Sequence, residues 1–116
     1  KRKEICIENA SQMRDFIHIS DLVSAYITII LNIKKFNNFT QIDLGTGTLT
    51  SIEDFVKLFI AFFNNKKDLK IVFKTNSVYL LRYNLSQIEA LKWSPKISIQ
   101  NGISIMLHNY KGESLK

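Results

Sequence analysis

The 116-residue sequence predicts a mixed α/β (α+β) domain in which short strands alternate with about four helices. Three observations predict it. Short β-branched runs recur along the chain, separated by stretches with helical apolar spacing. Two Ser/Thr-x-x-Glu boxes and a late Ser mark helix starts. The composition, 46% hydrophobic and 22% charged with four Gly and one Pro, is that of a globular chain and excludes a disordered or collagen-like one. The length is one domain's worth and buries roughly two-thirds of the surface that the unfolded chain exposes.

Taken in order, Ile5-Cys6-Ile7 and Phe16-Ile17-His18-Ile19 read as strands. Asp21 then offers an N-cap, and a helix follows over about 22–33. Its polar residues Ser24, Thr28 and Asn32 recur every four positions and form one narrow stripe, and the rest is apolar nearly all round. A helix of that kind is built to be buried on most sides. So short a chain has few elements to cover it, which implies a partner layer from another domain or subunit. Phe39–Leu44 reads as a strand stopped by Gly45-Thr46-Gly47. Thr50-x-x-Glu53 is a capping box opening a helix over about 51–63, with Glu53 and Lys57 paired at i, i+4 on its solvent face. Ile52, Phe55, Val56, Phe59, Ile60 and Phe63 point to its core. Residues 64–68 are a loop and 70–74 a strand. Ser86-x-x-Glu89 opens a short helix that Trp93-Ser94-Pro95 ends, because Pro disfavours helical geometry in the residue before it. Ser98 caps the last helix.

Charge and cysteine content narrow the function classes. Sixteen Lys+Arg against ten Asp+Glu leave a net charge of +6, which attracts polyanions. Thirteen of the sixteen are Lys, with pairs at probable loops (Lys34-Lys35, Lys66-Lys67), and basic surface without readout residues does not argue for nucleic acid, so none is expected as a partner. A single cysteine, Cys6, excludes an internal disulfide and a Cys-based zinc site. With neither a disulfide framework nor a signal peptide, a reducing cytoplasm is the expected compartment. The longest apolar stretch, 22–31, is too short to span a bilayer, so no membrane partner is expected. The first residue is Lys, which fits a fragment or processed chain.

Several enzyme signatures are absent: no P-loop, no G-x-G-x-x-G and no Cys/His cluster, so the chain is expected to hold no metal and no dinucleotide. His18 and His108 read as structural or surface residues. Gly45-Thr46-Gly47 has amides free to face an anion, yet it also suits a plain turn needing positive φ, and its spacing favours the turn. Arg14 and Arg82 carry the side chain suited to two-pronged phosphate contact. On residues alone, ion pairs with Asp15, Asp21 or Asp43 explain them as well or better. Trp93 reads as a core anchor.

The order of four segments carries a resemblance. Arg14-Asp15-Phe16-Ile17-His18-Ile19-Ser20-Asp21-Leu22-Val23-x-Ala25 resembles the R-D-F-I-[HY]-V-x-D-[LV]-[AV]-x-A stretch of the extended short-chain dehydrogenase/reductases, the NAD(P)-dependent nucleotide-sugar epimerases, dehydratases and reductases. Gln41-Ile42-Asp43-Leu44-Gly45-Thr46-Gly47-x-x-x-Ser51-Ile52 is similar to their Y-N-[LI]-G-[TS]-G-x-x-x-S-[IV]. Leu91-Lys92-Trp93-Ser94-Pro95-Lys96 resembles L-G-W-x-P-[KR], with Lys92 in place of Gly, and Ser98-Ile99-Gln100-Asn101-Gly102-Ile103 resembles S-L-x-x-G-[IL]. The four segments stand in the family's order and at its intervals, and the resemblance covers Ile5 to Tyr110.

The resemblance implies the carboxy-terminal, substrate-binding part of a Rossmann-type enzyme. Elements within 14–47 would pack on a missing amino-terminal NAD-binding domain, which would cover the apolar helix, and 48–116 would form a small substrate lobe. The family's Arg of R-D-F contacts the nucleotide's phosphates, and Arg14 matches it. A second family Arg, in an R-P-G-D or Y-R segment, grips the diphosphate; here that region runs from Lys74 to Arg82, and either could stand in for it. The implied partners are a nucleotide-diphosphate sugar, with NAD or NADP in the intact enzyme, and a second copy, since the family often dimerises through the dinucleotide-binding half. The catalytic Tyr-x-x-x-Lys is missing: Ile30, Tyr83, Gln87 and Ser114 follow the four tyrosines at that spacing. No catalytic residue is therefore expected in this segment. The rival expectation is a non-catalytic interaction module that docks a partner through the apolar helix.

Overall fold

The structure, a computed structural model, describes residues 3–62, 69–78 and 80–114, the side chains of 69 and 111–114 excepted. Strands β1 (Lys3–Ile7), β2 (Met13–Arg14), β3 (Thr50–Ser51) and β4 (Leu69–Phe73) alternate with helices α1 (Ile19–Leu31), α2 (Ile52–Ala61), α3 (Ser86–Ala90) and α4 (Ile99–Ser114). The class is the mixed α/β one expected. Residues 63 and 64–68, expected as a core Phe and a loop, lie outside the described residues, as does Tyr79.

The chain forms two compact units. The first takes in 1–14, 49–81 and 103–116, and the second 15–48 and 82–102. In the first, β1 and β4 pair in parallel from Lys3↔Leu69 to Ile7↔Phe73. The register continues past β4, where the Lys74 amide donates to the Ile7 carbonyl at 2.9 Å. β2 and β3 pair antiparallel, Met13↔Ser51 and Arg14↔Thr50. The Ile52 and Glu53 amides, orphans of a helix start, donate to the carbonyls of Gln12 and Ala10, both at 2.9 Å. Phe55 and Phe59, one turn apart on α2, meet edge to face at 5.1 Å, and the Lys57 ammonium sits 5.6 Å from the Phe73 ring centroid. In the second unit, Ala25, Ile88 and Trp93 form the core, with Ile17, Ile29, Ile42, Leu44, Leu85 and Leu91 packed against them. The Trp93 indole N–H donates to Ser24 Oγ at 2.9 Å, so the core anchor read from the sequence also has its polar atom satisfied.

Several local expectations are corrected. Residues 16–18 belong to none of the strands, and α1 begins at Ile19. The cap is His18, whose Nδ1 accepts the Ser20 amide at 3.1 Å, not Asp21. Asp21 lies in the first turn and turns its carboxylate to the amides of Lys96 and Ile97. The 39–44 stretch has strand composition and pairs with no strand among the described residues. Such composition yields a strand only beside a neighbour that supplies hydrogen bonds. Ser51, not Thr50, caps α2, its Oγ accepting the Asp54 amide at 3.0 Å, while Thr50 is spent in β3. Ser86 does not cap α3; its hydroxyl donates to Asn84 Oδ1 at 2.7 Å. Asn84 Oδ1 also accepts the Ser86 amide at 3.2 Å, making an Asx turn ahead of α3. Two local expectations hold: Ser98 Oγ accepts the Asn101 amide at 3.1 Å, and Glu53 pairs with Lys57 at 3.4 Å.

Only Asp21 and Ala25 of α1 are buried. Ile19 and Ile30 are each 66% exposed and Leu31 78%, with Val23, Tyr26 and Ile27 also on the surface. Ala25 and Ile29 face the core of the second unit, and Ser24 beside them takes the Trp93 indole N–H. The rest of the apolar surface of α1 is exposed among the described residues, which is more apolar exposure than an ordinary surface helix carries.

Candidate functional site

The three cations singled out in the sequence fall into both units. Arg14 and Lys74 belong to the first, Arg82 to the second, and all three side chains are exposed. Arg14 ends β2, and its Nη1 donates to the neighbouring Met13 carbonyl at 2.8 Å. Among the described residues the ion pairs are Glu53–Lys57 and Glu4–Lys70, and none of the three cations takes part. Among the described residues neither Arg14 nor Arg82 makes an ion pair, and the three carboxylates that the sequence offered them accept backbone amides instead. Asp21 holds Lys96 and Ile97, Asp43 accepts the Asn84 amide at 3.0 Å, and Asp15 holds the glycine loop.

That loop is the most built feature of the second unit. One Asp15 carboxylate accepts the Thr46 amide at 2.9–3.0 Å, the Gly47 amide at 2.9 Å and the Thr46 hydroxyl. Gly45 is required by this contact, because a Cβ there would lie 2.5 Å from Asp15 Oδ2. Gly47 is required by its φ of +83°. The amides do converge on an anion, as glycine loops allow, and the anion is the chain's own carboxylate.

Lys74 stands on a stitched frame. The Ala10 amide donates to its carbonyl at 2.9 Å. Two residues on, Ser11 Oγ donates to the Asn76 carbonyl at 2.7 Å and accepts the Asn76 amide at 3.1 Å. Asn76 Nδ2 donates to Asn9 Oδ1 at 2.6 Å, and Gln12 Nε2 donates to the Ser77 carbonyl. The 9–12 turn thus holds the segment that carries no Pro-Gly-Asp. Within the second unit, an open cleft of about 540 Å³ lies between the polar stripe of α1 and residues 91–97, lined by Ser20, Ser24, Thr28, Trp93 and Lys96 among others. None of the three singled-out cations lines it. Ser24 and Thr28 spend their hydroxyls on the backbone of α1. Lys92, at its rim, has a φ of +60°, the left-handed geometry for which the resembling motif carries Gly.

Sequence reasoning missed Asp15 as an anchor and Asp21 as a clamp. Both sit in the quoted motif, but their acceptor role depends on loops 31–32 and 75–76 residues away. Among the described residues no group of three His, Cys, Asp or Glu could hold a metal ion, and no helix is long and apolar enough to cross a membrane.

A parallel β-pair, a glycine loop tied to an Asp after Arg, and a Trp-anchored turn before α4 are the forms taken by the segments whose order resembles the extended short-chain dehydrogenase/reductases. The homologues and structural neighbours of the chain are NAD(P)-dependent nucleotide-sugar epimerases, reductases and dehydratases of that family, matched in their carboxy-terminal part. CDP-abequose synthase of Salmonella typhimurium is 29% identical over 113 residues, 91% of this chain and 38% of that protein. The GDP-mannoheptose C4 reductase of Campylobacter jejuni, solved with NADP bound, is 32% identical with a TM-score of 0.72, over 94% of this chain and 35% of that one. The GDP-D-glycero-L-gluco-heptose synthase of the same organism is 30% identical with a TM-score of 0.67, over 94% and 33%. The chain thus spans little more than a third of the length of these proteins. No family model matches it.

Proposed function

We propose that the chain is the nucleotide-sugar-binding region of an NAD(P)-dependent nucleotide-sugar epimerase, dehydratase or reductase. The observation that supports it is likeness over nine-tenths of the chain to enzymes whose names specify CDP- and GDP-sugars. Arg14 neutralises and orients the diphosphate, with Lys74 or Arg82 as the second cation. Three exposed cations without carboxylate partners among the described residues support that role, since a free guanidinium can close on phosphate without first breaking an ion pair. The overall +6 charge suits an anionic ligand.

The redox step belongs to the rest of the protein. Hydride exchange with a sugar carbon at or near C4 needs NAD or NADP and a Tyr-x-x-x-Lys pair, neither of which this segment supplies. Residues 14–47 pack on that missing domain, and the bare apolar face of α1 and the ladder-less 39–44 stretch support this, because each lacks a neighbour of the kind such a domain offers. Residues 48–116 form the small substrate lobe. A homodimer would form through the missing half, and the whole protein works in the cytoplasm. The same face of α1 favours a second reading, an interaction module without catalysis. The reading frame upstream of Lys1 separates them: a glycine-rich βα turn and a Tyr-x-x-x-Lys support the enzyme, and their absence behind a nearby initiation codon supports the module.

Calorimetric titration of the full-length protein with UDP, CDP, dTDP and GDP tests the binding role. One of the four is expected to bind, and Arg14→Ala to weaken it about tenfold or more, the worth of a charge-assisted phosphate contact. Unchanged affinity for all four in the variant overturns it.

A further inference from the structure

We infer that Asp15 is a positioning residue for Arg14, acting through the glycine loop; the inference rests on the diphosphate role of Arg14 proposed above. Arg14 is held on both chain sides. Before and at it, β2 pairs with β3, Arg14 opposite Thr50. Immediately after it, Asp15 is fixed by its carboxylate, which takes two amides and a hydroxyl from Thr46 and Gly47. A side chain anchored by three hydrogen bonds stops rotation of the peptide that joins it to Arg14. The exposed guanidinium then starts from a set backbone position and loses less freedom when it closes on phosphate. The contact is made for a carboxylate: three donors converge on two acidic oxygens, and Gly45 keeps clear the space in which a Cβ would lie 2.5 Å from Asp15 Oδ2.

The inference predicts coupling, read on the full-length protein with whichever of UDP, CDP, dTDP or GDP binds tightest and with the matching phosphate-free nucleoside. Asp15→Asn keeps the shape and removes the charge and one acceptor. It is expected to weaken the diphosphate about fivefold to tenfold and to leave the nucleoside unchanged. In Arg14→Ala/Asp15→Asn the loss is expected to equal that of Arg14→Ala alone. Thr46→Val removes the hydroxyl and spares both amides, so it folds even if Asp15→Asn does not, and about a threefold loss confined to the diphosphate is expected. A merely structural Asp15 would lower diphosphate and nucleoside affinity together and would add to Arg14→Ala, and either result overturns the inference. If Arg14→Ala weakens the diphosphate and neither Asp15→Asn nor Thr46→Val does, the inference fails and the function stands. If Arg14→Ala itself has no effect, both fall.

Discussion

Lys92 carries a strain that one substitution removes. Its φ of +60° follows the last turn of α3, where its amide donates to the Glu89 carbonyl at 2.8 Å. A residue with a Cβ pays for the left-handed region and Gly does not. Lys92→Gly is therefore expected to stabilise the chain by about 0.5–1 kcal/mol, offset in part by the greater freedom of Gly when unfolded, and a urea midpoint that moves down instead of up refutes it. Asp21 is the opposite case. It is 4% exposed and accepts the Lys96 and Ile97 amides at 2.9–3.1 Å. Asp21→Ala leaves those donors without their acceptor and is expected to cost about 2–3 kcal/mol in urea unfolding, against well under 1 for an exposed carboxylate such as Asp54. The residue-level signals were unequally legible. The positive φ at 92 was implied by a motif position where Gly is usual, whereas a carboxylate that caps no helix and clamps a distant loop leaves no local periodicity to read.

Among the elements, α1 was legible in composition and not in orientation. Nine apolar positions around a narrow Ser24–Thr28–Asn32 stripe signalled a helix too greasy for its surroundings. Which side would be covered was decided by Trp93, whose indole reaches Ser24 from 69 residues away. Strand readings fared worst for a related reason. Phe39–Leu44 has the residues of a strand, but a ladder needs a second strand, and local sequence does not say whether one is present. The β1–β4 pair succeeded because each segment found the other across the chain. The bare face of α1 gives an expected outcome of its own. Ile27→Lys with Ile30→Glu places charge where both side chains are now half-exposed or more, at 52% and 66%. The variant is expected to change the stability of the 116-residue chain by no more than about 0.5 kcal/mol and to keep it monomeric at higher concentration by light scattering. A loss of several kcal/mol would mean that α1 is covered within this chain after all.

At the scale of the whole molecule, the charge balance and the hydrogen bonding have to be considered together. The chain has six more cationic than anionic side chains, and three of its carboxylates, Asp15, Asp21 and Asp43, are engaged by backbone amides. The described ion pairs are both at the surface, at 3.4 and 3.7 Å. Among the described residues the Lys and Arg side chains other than Lys57 and Lys70 are therefore without an ion-pair partner, and like charges raise the free energy of the compact state more than that of the expanded one. Salt shortens the reach of that repulsion, from about 10 Å at 0.1 M to about 3 Å at 1 M. Chloride, which unlike sulfate is not strongly excluded from protein surfaces, is then expected to raise stability between those concentrations by about 0.5 kcal/mol, a Tm increase of about 2 °C. On the proposed diphosphate role of these cations, diphosphate affinity of the full-length protein is expected to fall over the same range, while the matching nucleoside is held equally well. Opposite signs in the two titrations follow from one set of charges. A Tm that falls with chloride, or a diphosphate affinity that ignores it, would mean that the excess positive charge is neutralised locally and acts neither on the fold nor on the ligand.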